Sequence, residues 1–194
     1  MKEYLNEYLR LIKISKNYHL AFAIVYAAGI ILGVFFSTGA VKYVLGENVM
    51  NFYINALSGN GRVWSLVFSL LVADIFFLLV FYFCSFTFYT AFIDFALVLY
   101  RGYILASVSF IFIKLFGVSG AFVYILCVFV HNVIVSAALS SFAAITAAHC
   151  RRRSKKLKRL RGDLIIVSAA AALLAVILEV MILVLILRPI HVTF

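Results

Sequence analysis

The sequence predicts an all-α fold: a polytopic transmembrane helix bundle of about five spans, forming a single domain over residues 1–194. Three observations predict it. Of the 194 residues, 66% are hydrophobic and 12% charged, with a mean hydropathy of +1.16. A soluble domain is nearer half apolar, with about a quarter of its residues charged. Several stretches reach the roughly 20 apolar residues that a helix needs to cross a hydrocarbon core about 30 Å thick. These stretches are also continuously apolar, whereas barrel strands alternate apolar and polar over about ten residues. The single proline, Pro189, and only ten glycines leave long helices with few interior breakers.

Residues 1–18 place Leu5, Leu9, Ile12 and, more loosely, Leu11 on one helical face with charges opposite, which predicts a short amphipathic helix on the membrane surface. The charged region is too long, and lacks a small-residue cleavage site, for a signal peptide. Residues 19–38 form the first span. In it Gly29 and Gly33 are four apart, a small-xxx-small spacing that lets another helix approach closely.

Residues 39–63 are polar, with apolar residues recurring among them, and predict an outer loop resting on the surface. The loop closes on Ser58-Gly59-Asn60-Gly61, a strong turn signal. Trp64, at an interface position, opens a second span over 64–86. A third apolar stretch, 87–116, is interrupted by Asp94 and by Arg101-Gly102, so it is either one span or a broken, re-entrant pair of half-helices. Gly117-Val118-Ser119-Gly120 predicts a turn, 120–148 a fourth span and 164–187 a fifth.

Eight of the 17 basic residues lie between Arg151 and Arg161. Another four, Lys2, Arg10, Lys13 and Lys16, precede the first span. By the positive-inside rule both segments are cytoplasmic, which requires an even number of spans between them. A multi-pass cell-membrane protein follows, with its N-terminus cytoplasmic and its C-terminus outside. The net charge of +10 is concentrated on loops pinned at the bilayer. Arg151, Arg152, Arg153, Lys155, Lys156, Lys158, Arg159 and Arg161 in the cytoplasmic loop 150–162 therefore read as anionic-lipid contacts rather than a nucleic-acid site. Cys84, Cys127 and Cys150 form no Cys-x-x-Cys pair and read as small packing residues.

The intramembrane polar residues are Asp74, Asp94, Arg101, His131, Asn132 and Glu179. A charge at mid-bilayer costs about 2.5–3.5 kcal/mol even on the lenient insertion scale, so such groups should be paired or face the bundle interior. Asp74 and Arg101 fall at similar inferred depth and make a candidate pair. Asp94 is seven residues before Arg101, on the same helical face. His131 reads as a buried histidine with one hydrogen-bond partner. It lies about 27 Å along a helix axis from His149, too far to share a metal ion. No nucleotide loop or metal-binding spacing occurs, so no cofactor is expected.

Residues 95–140 resemble the stage II sporulation protein M family of five-span bacterial membrane proteins. Arg101-Gly102 matches that family's basic-glycine pair, Gly117 and Gly120 match its turn, and Asn132 matches an asparagine followed by small residues, here Ser136 and Ala137. The sequence departs from the pattern at Phe129-Val130-His131, where the family has Leu-Pro-Gln. The match covers about a quarter of the chain.

The resemblance implies a non-enzymatic scaffold of the sporulation engulfment machinery that assembles peptidoglycan hydrolases, similar to stage II sporulation proteins D and P. On that reading the outer loop supplies the partner contacts through Tyr43, Val49, Phe52, Tyr53 and Leu57. The alternative is a small membrane transporter or permease subunit with Asp74, Arg101, His131 and Glu179 lining a path. Oligomeric state, including a homo-oligomer, is open in both. The two readings differ in where the polar residues point: paired and dry in a scaffold, around a wet cavity in a transporter.

Overall fold

The computed structural model describes residues 10–36, 63–87, 89–149 and 155–187. Nearly all of these are helical, and no strand occurs among them. Helix α1 spans Lys16–Phe36, α2 Val63–Cys84 and α3 Thr90–Val123. A π-helical segment, Tyr124–Phe129, leads into α4, Val130–His149. Helix α5, Lys155–Ile182, ends in a second π-helical segment, Leu183–Leu187. Five stretches are long and apolar enough to cross a membrane: Lys16–Phe36, Trp64–Cys84, Thr90–Lys114, Gly117–Ala148 and Arg161–Leu185. Helices are what hydrocarbon permits, because every backbone N–H and C=O must be satisfied within the segment.

The third stretch is not re-entrant. Helix α3 runs unbroken through Arg101 and Gly102, and its non-helical residue is Gly117 (φ 58°, ψ −132°). Without a Cβ, glycine reaches this region at little cost. The charge at Arg101 is accommodated by pairing rather than by ending the helix. Gly117 reverses the chain: the Tyr124 hydroxyl donates to the Leu105 carbonyl at 2.9 Å, 19 residues back. The expected turn over 117–120 thus contracts to one residue, and Gly120 lies in the helix that follows.

Helix α1 crosses α3 at backbone contact. A Cβ at Gly29 would fall on the Leu99 carbonyl oxygen, and one at Gly102 on the Tyr26 carbonyl oxygen. At Gly33 it would meet the Tyr103 carbonyl oxygen at 2.6 Å. Below this crossing, the Phe22 and Phe95 rings lie 4.4 Å apart. The small-xxx-small spacing therefore does bring a partner helix in, and that partner carries Arg101-Gly102.

Two apolar cores fill the bundle. One gathers Phe22, Leu78, Phe81, Val98, Val135, Leu139, Phe142 and Leu164. It lies at the end where α1 and α5 begin, which puts the starts of these two helices on one face. The other gathers Leu66, Leu105, Phe112, Val123, Tyr124, Cys127, Val128 and Leu183 at the opposite end. Leu11 and Ile12, just before α1, pack partly against the first core, while Arg10 and Lys13 are exposed. That is the described part of the expected amphipathic segment. The outward faces carry exposed large apolar side chains such as Ile24, Phe68, Phe76 and Leu185, and Trp64 is 81% exposed at the start of α2. Lipid is the solvent such faces require.

Candidate functional site

Between the two cores lies a layer of charge. Asp74 sits on α2 between Leu66 and Leu78, and Arg101 on α3 between Val98 and Leu105. His131 sits on α4 between Val128 and Val135, and Glu179 on α5 between Ala175 and Leu183. Each is flanked within its own helix by a residue of either core, which fixes all four at one depth. All four are buried: Arg101, the most exposed, retains 7% of its surface.

The four side chains form one connected array. Arg101 Nη2 lies 3.5 Å from Asp74 Oδ1. The other Asp74 oxygen, Oδ2, lies 3.0 Å from His131 Nε2. His131 Nδ1 lies 2.9 Å from Glu179 Oε2. The expected Asp74–Arg101 pair is therefore present, but it is one end of a longer chain. His131 meets two carboxylates, not the single partner its sequence context suggested. Phe77, three residues after Asp74 on α2, covers the guanidinium: Arg101 Cζ lies 4.7 Å from the ring centroid, a cation–π contact. The close approach of α1 at Gly102 pins the neighbouring turn of α3, so the backbone beside Arg101 is held by packing.

The array is close but not fully satisfied. Arg101 Nε and Nη2, Asp74 Oδ2 and the buried Tyr26 hydroxyl meet no hydrogen-bond partner at bonding geometry. The His131 ring is off line at both ends: Asp74 Oδ2 receives no hydrogen bond from it, and Nδ1 makes none at bonding geometry. Electrostatically it is a row of guanidinium, carboxylate, imidazole and carboxylate, in surroundings where each charge needs its neighbours.

The other intramembrane polar residues stand apart. Asp94, 0% exposed, accepts from the Thr90 hydroxyl at 3.1 Å, one turn back on its own helix. Its shared face with Arg101 does not bring it into the array, because two helical turns separate them. The Asn132 amide donates to the Val128 carbonyl at 2.9 Å, also within its own helix. Arg161 corrects the lipid-contact expectation: it is 8% exposed, with its guanidinium 4.5 Å over the Phe86 ring. The turn that follows α2 lies over it and turns it inward. Lys155, Lys156, Lys158 and Arg159 lie on the first turns of α5, with side chains outside the described residues. Arg151, Arg152 and Arg153 lie outside them entirely, as do Tyr43, Val49, Phe52, Tyr53 and Leu57 of the outer loop.

Among the described residues, no group of three or more His, Cys, Asp and Glu side chains is arranged to hold a metal ion. In the array the imidazole separates the two carboxylates, one on each ring nitrogen, so the three do not converge on a point. A shallow groove on the outer side of α2, lined by Phe68, Ser69, Val72, Ala73, Phe76 and Phe77, is apolar and faces lipid. Joining His131 and Glu179 to the pair escaped sequence reasoning. The signal available was depth: counted along the spans, all four residues fall near mid-membrane. No known family model, curated protein or solved structure matches the chain.

Proposed function

We propose that this chain is a non-enzymatic integral membrane scaffold. The observation that supports this reading is the disposition of its ionisable side chains. Asp74, Arg101, His131 and Glu179 bridge four spans and are paired with one another in the buried interior. Removing one partner of a buried pair typically costs about 3–5 kcal/mol, so such an array fixes the relative position of α2, α3, α4 and α5. A fixed bundle suits a platform that presents its extramembrane segments to partners.

The density of Lys and Arg in residues 1–18 and 150–162 orients the bundle with both segments in the cytoplasm and with residues 39–63 and the C-terminus outside, in the cell membrane. The partners are the class that the sequence resemblance names: peptidoglycan hydrolases similar to stage II sporulation proteins D and P, engaged through residues 39–63 during engulfment. Binding energy usually concentrates in a few residues, aromatics among them. Phe52 and Tyr53 are the aromatics of this segment that we assign to the contact.

The test is a paired substitution, Phe52→Ala with Tyr53→Ala. It should leave insertion and the amount of protein in the membrane unchanged while reducing co-purification of the two hydrolases and blocking engulfment. Normal engulfment at a normal protein level contradicts the scaffold reading of this loop. A solute flux through reconstituted protein that Asp74→Asn abolishes would instead make the chain a transporter or permease subunit.

A further inference from the structure

We propose that the array of Asp74, His131, Glu179 and Arg101 is an intramembrane proton-binding site that holds one labile proton. The bundle interior alone carries this assignment, whatever role the extramembrane segments play.

Two carboxylates against one guanidinium leave one negative charge in a layer walled on both sides by apolar cores. One proton cancels it. The geometry gives that proton its place. A neutral imidazole has one donor nitrogen and one acceptor nitrogen. Here both ring nitrogens face carboxylate oxygens, at 3.0 and 2.9 Å. With a neutral ring and two ionised carboxylates, an acceptor nitrogen would confront an acceptor oxygen. A proton on the second ring nitrogen, or on the carboxyl group facing it, turns that clash into a donor–acceptor contact. Asp74, His131 and Glu179 can therefore share one proton between them, and Arg101 holds the remaining charge in balance.

Two further observations separate this array from a purely structural salt bridge. Arg101 Nε and Nη2, Asp74 Oδ2 and the Tyr26 hydroxyl are buried without a hydrogen-bond partner. Buried polar groups left without a partner call for an explanation beyond helix packing. The two π-helical segments among the described residues also border the array. The π-helical segment Tyr124–Phe129 ends two residues before His131, and Leu183–Leu187 begins four residues after Glu179. Tyr124, Cys127, Val128 and Leu183 of these segments share one core. π-Helical turns inside α-helices frequently mark functional sites.

The groups that face the site are Tyr26 from α1, Asp74 from α2, Arg101 from α3, Cys127 from the π-helical segment before α4, His131 from α4, and Glu179 from α5. Among these, each carboxylate has a distinct consequence. Asp74→Asn or Glu179→Gln leaves one carboxylate against the guanidinium, which is neutral with no added proton. The site should then be empty while the bundle stays paired. The sign for pH follows. Stability conferred by the bound proton is present while the proton is held and is lost as pH rises through its release.

The test is nitrogen-15 NMR of His131 with infrared spectroscopy of the carboxyl groups. Both are read on the full chain in lipid nanodiscs from neutral to alkaline pH, alongside the thermal midpoint. His19, His149 and His191→Gln leave one histidine signal. At neutral pH the site should show either a doubly protonated ring or a single protonated carboxyl. Alkaline pH should remove it together with a drop in the thermal midpoint, and Glu179→Gln and Asp74→Asn should abolish both the signal and the drop. A singly protonated ring with no protonated carboxyl at neutral pH overturns the proposal. So does a signal that neither leaves at alkaline pH nor depends on both carboxylates. Should the variants fail to fold, the spectra of the otherwise unaltered chain decide it.

Discussion

Two helix contacts meet at Arg101-Gly102, and they solve the same problem in opposite ways. Toward α1, Gly102 faces Tyr26 and Ile30, and Gly29 faces Leu99, so two backbones touch with no side chain between them. Toward α2 and α4, Arg101 reaches Asp74 and, through it, His131 and Glu179. Lipid tails are as apolar as leucine, so apolar burial alone does not drive helices together in a bilayer. One contact gains its attraction from close dispersion packing, the other from charge that has no better place to go. The first tolerates no added volume and the second no charge left without a partner. Adjacent residues of one helix thus carry the two different constraints.

The sharpest way to break the comparison acts on charge. His131→Leu is close to the imidazole in bulk but leaves two carboxylates against one guanidinium. It should destabilise the bundle by about 3–5 kcal/mol, as breaking a buried pair does, measured by unfolding in mixed micelles. Adding Glu179→Leu should restore much of that loss by removing the surplus charge. An added volume tests the other side. Gly29→Ala or Gly102→Ala drives a Cβ onto a carbonyl oxygen of the facing helix. Each should cost about 1–3 kcal/mol through overpacking. Unlike His131→Leu, neither should be rescued by any change at Asp74 or Glu179. The smallest effect sharpens the role of the helix reversal. Tyr124→Phe removes the hydroxyl bond to the Leu105 carbonyl and should cost about 0.5–1.5 kcal/mol, with no response to substitutions in the charged layer.

Much of the fold is legible in the sequence because a membrane span is a local property. A run of about 20 apolar residues identifies itself without reference to the rest of the chain. All five spans lie within three residues of their expected ends. Gly29 and Gly33 announced a close crossing for the same reason: spacing within one helix carries it. Which helix they would meet was not encoded locally.

The exception in the fold was Arg101. A charge in the middle of an apolar stretch reads either as a break or as a paired residue, and only its partners on other helices decide between the two. The charged layer was half legible. Similar depth suggested Asp74 with Arg101, yet depth gives no rotation about the helix axis. That rotation separates His131, which faces the array, from Asn132 beside it, which bonds to its own helix. It also turns Arg161 under Phe86 and away from lipid.

Buried charges in this bundle are matched to one another across helices, so the cost of removing one depends on what is left behind. The most direct measurement compares Arg101→Leu with the double substitution Asp74→Leu and Arg101→Leu, by reversible unfolding of the chain in one lipid environment. Arg101→Leu alone leaves Asp74 and Glu179 against His131 and should lose about 3–5 kcal/mol. The double substitution leaves His131 paired with Glu179 and should recover much of that loss. A double variant no more stable than Arg101→Leu would mean that Asp74 and Arg101 are not partners, and the account of the layer as one matched array would fail.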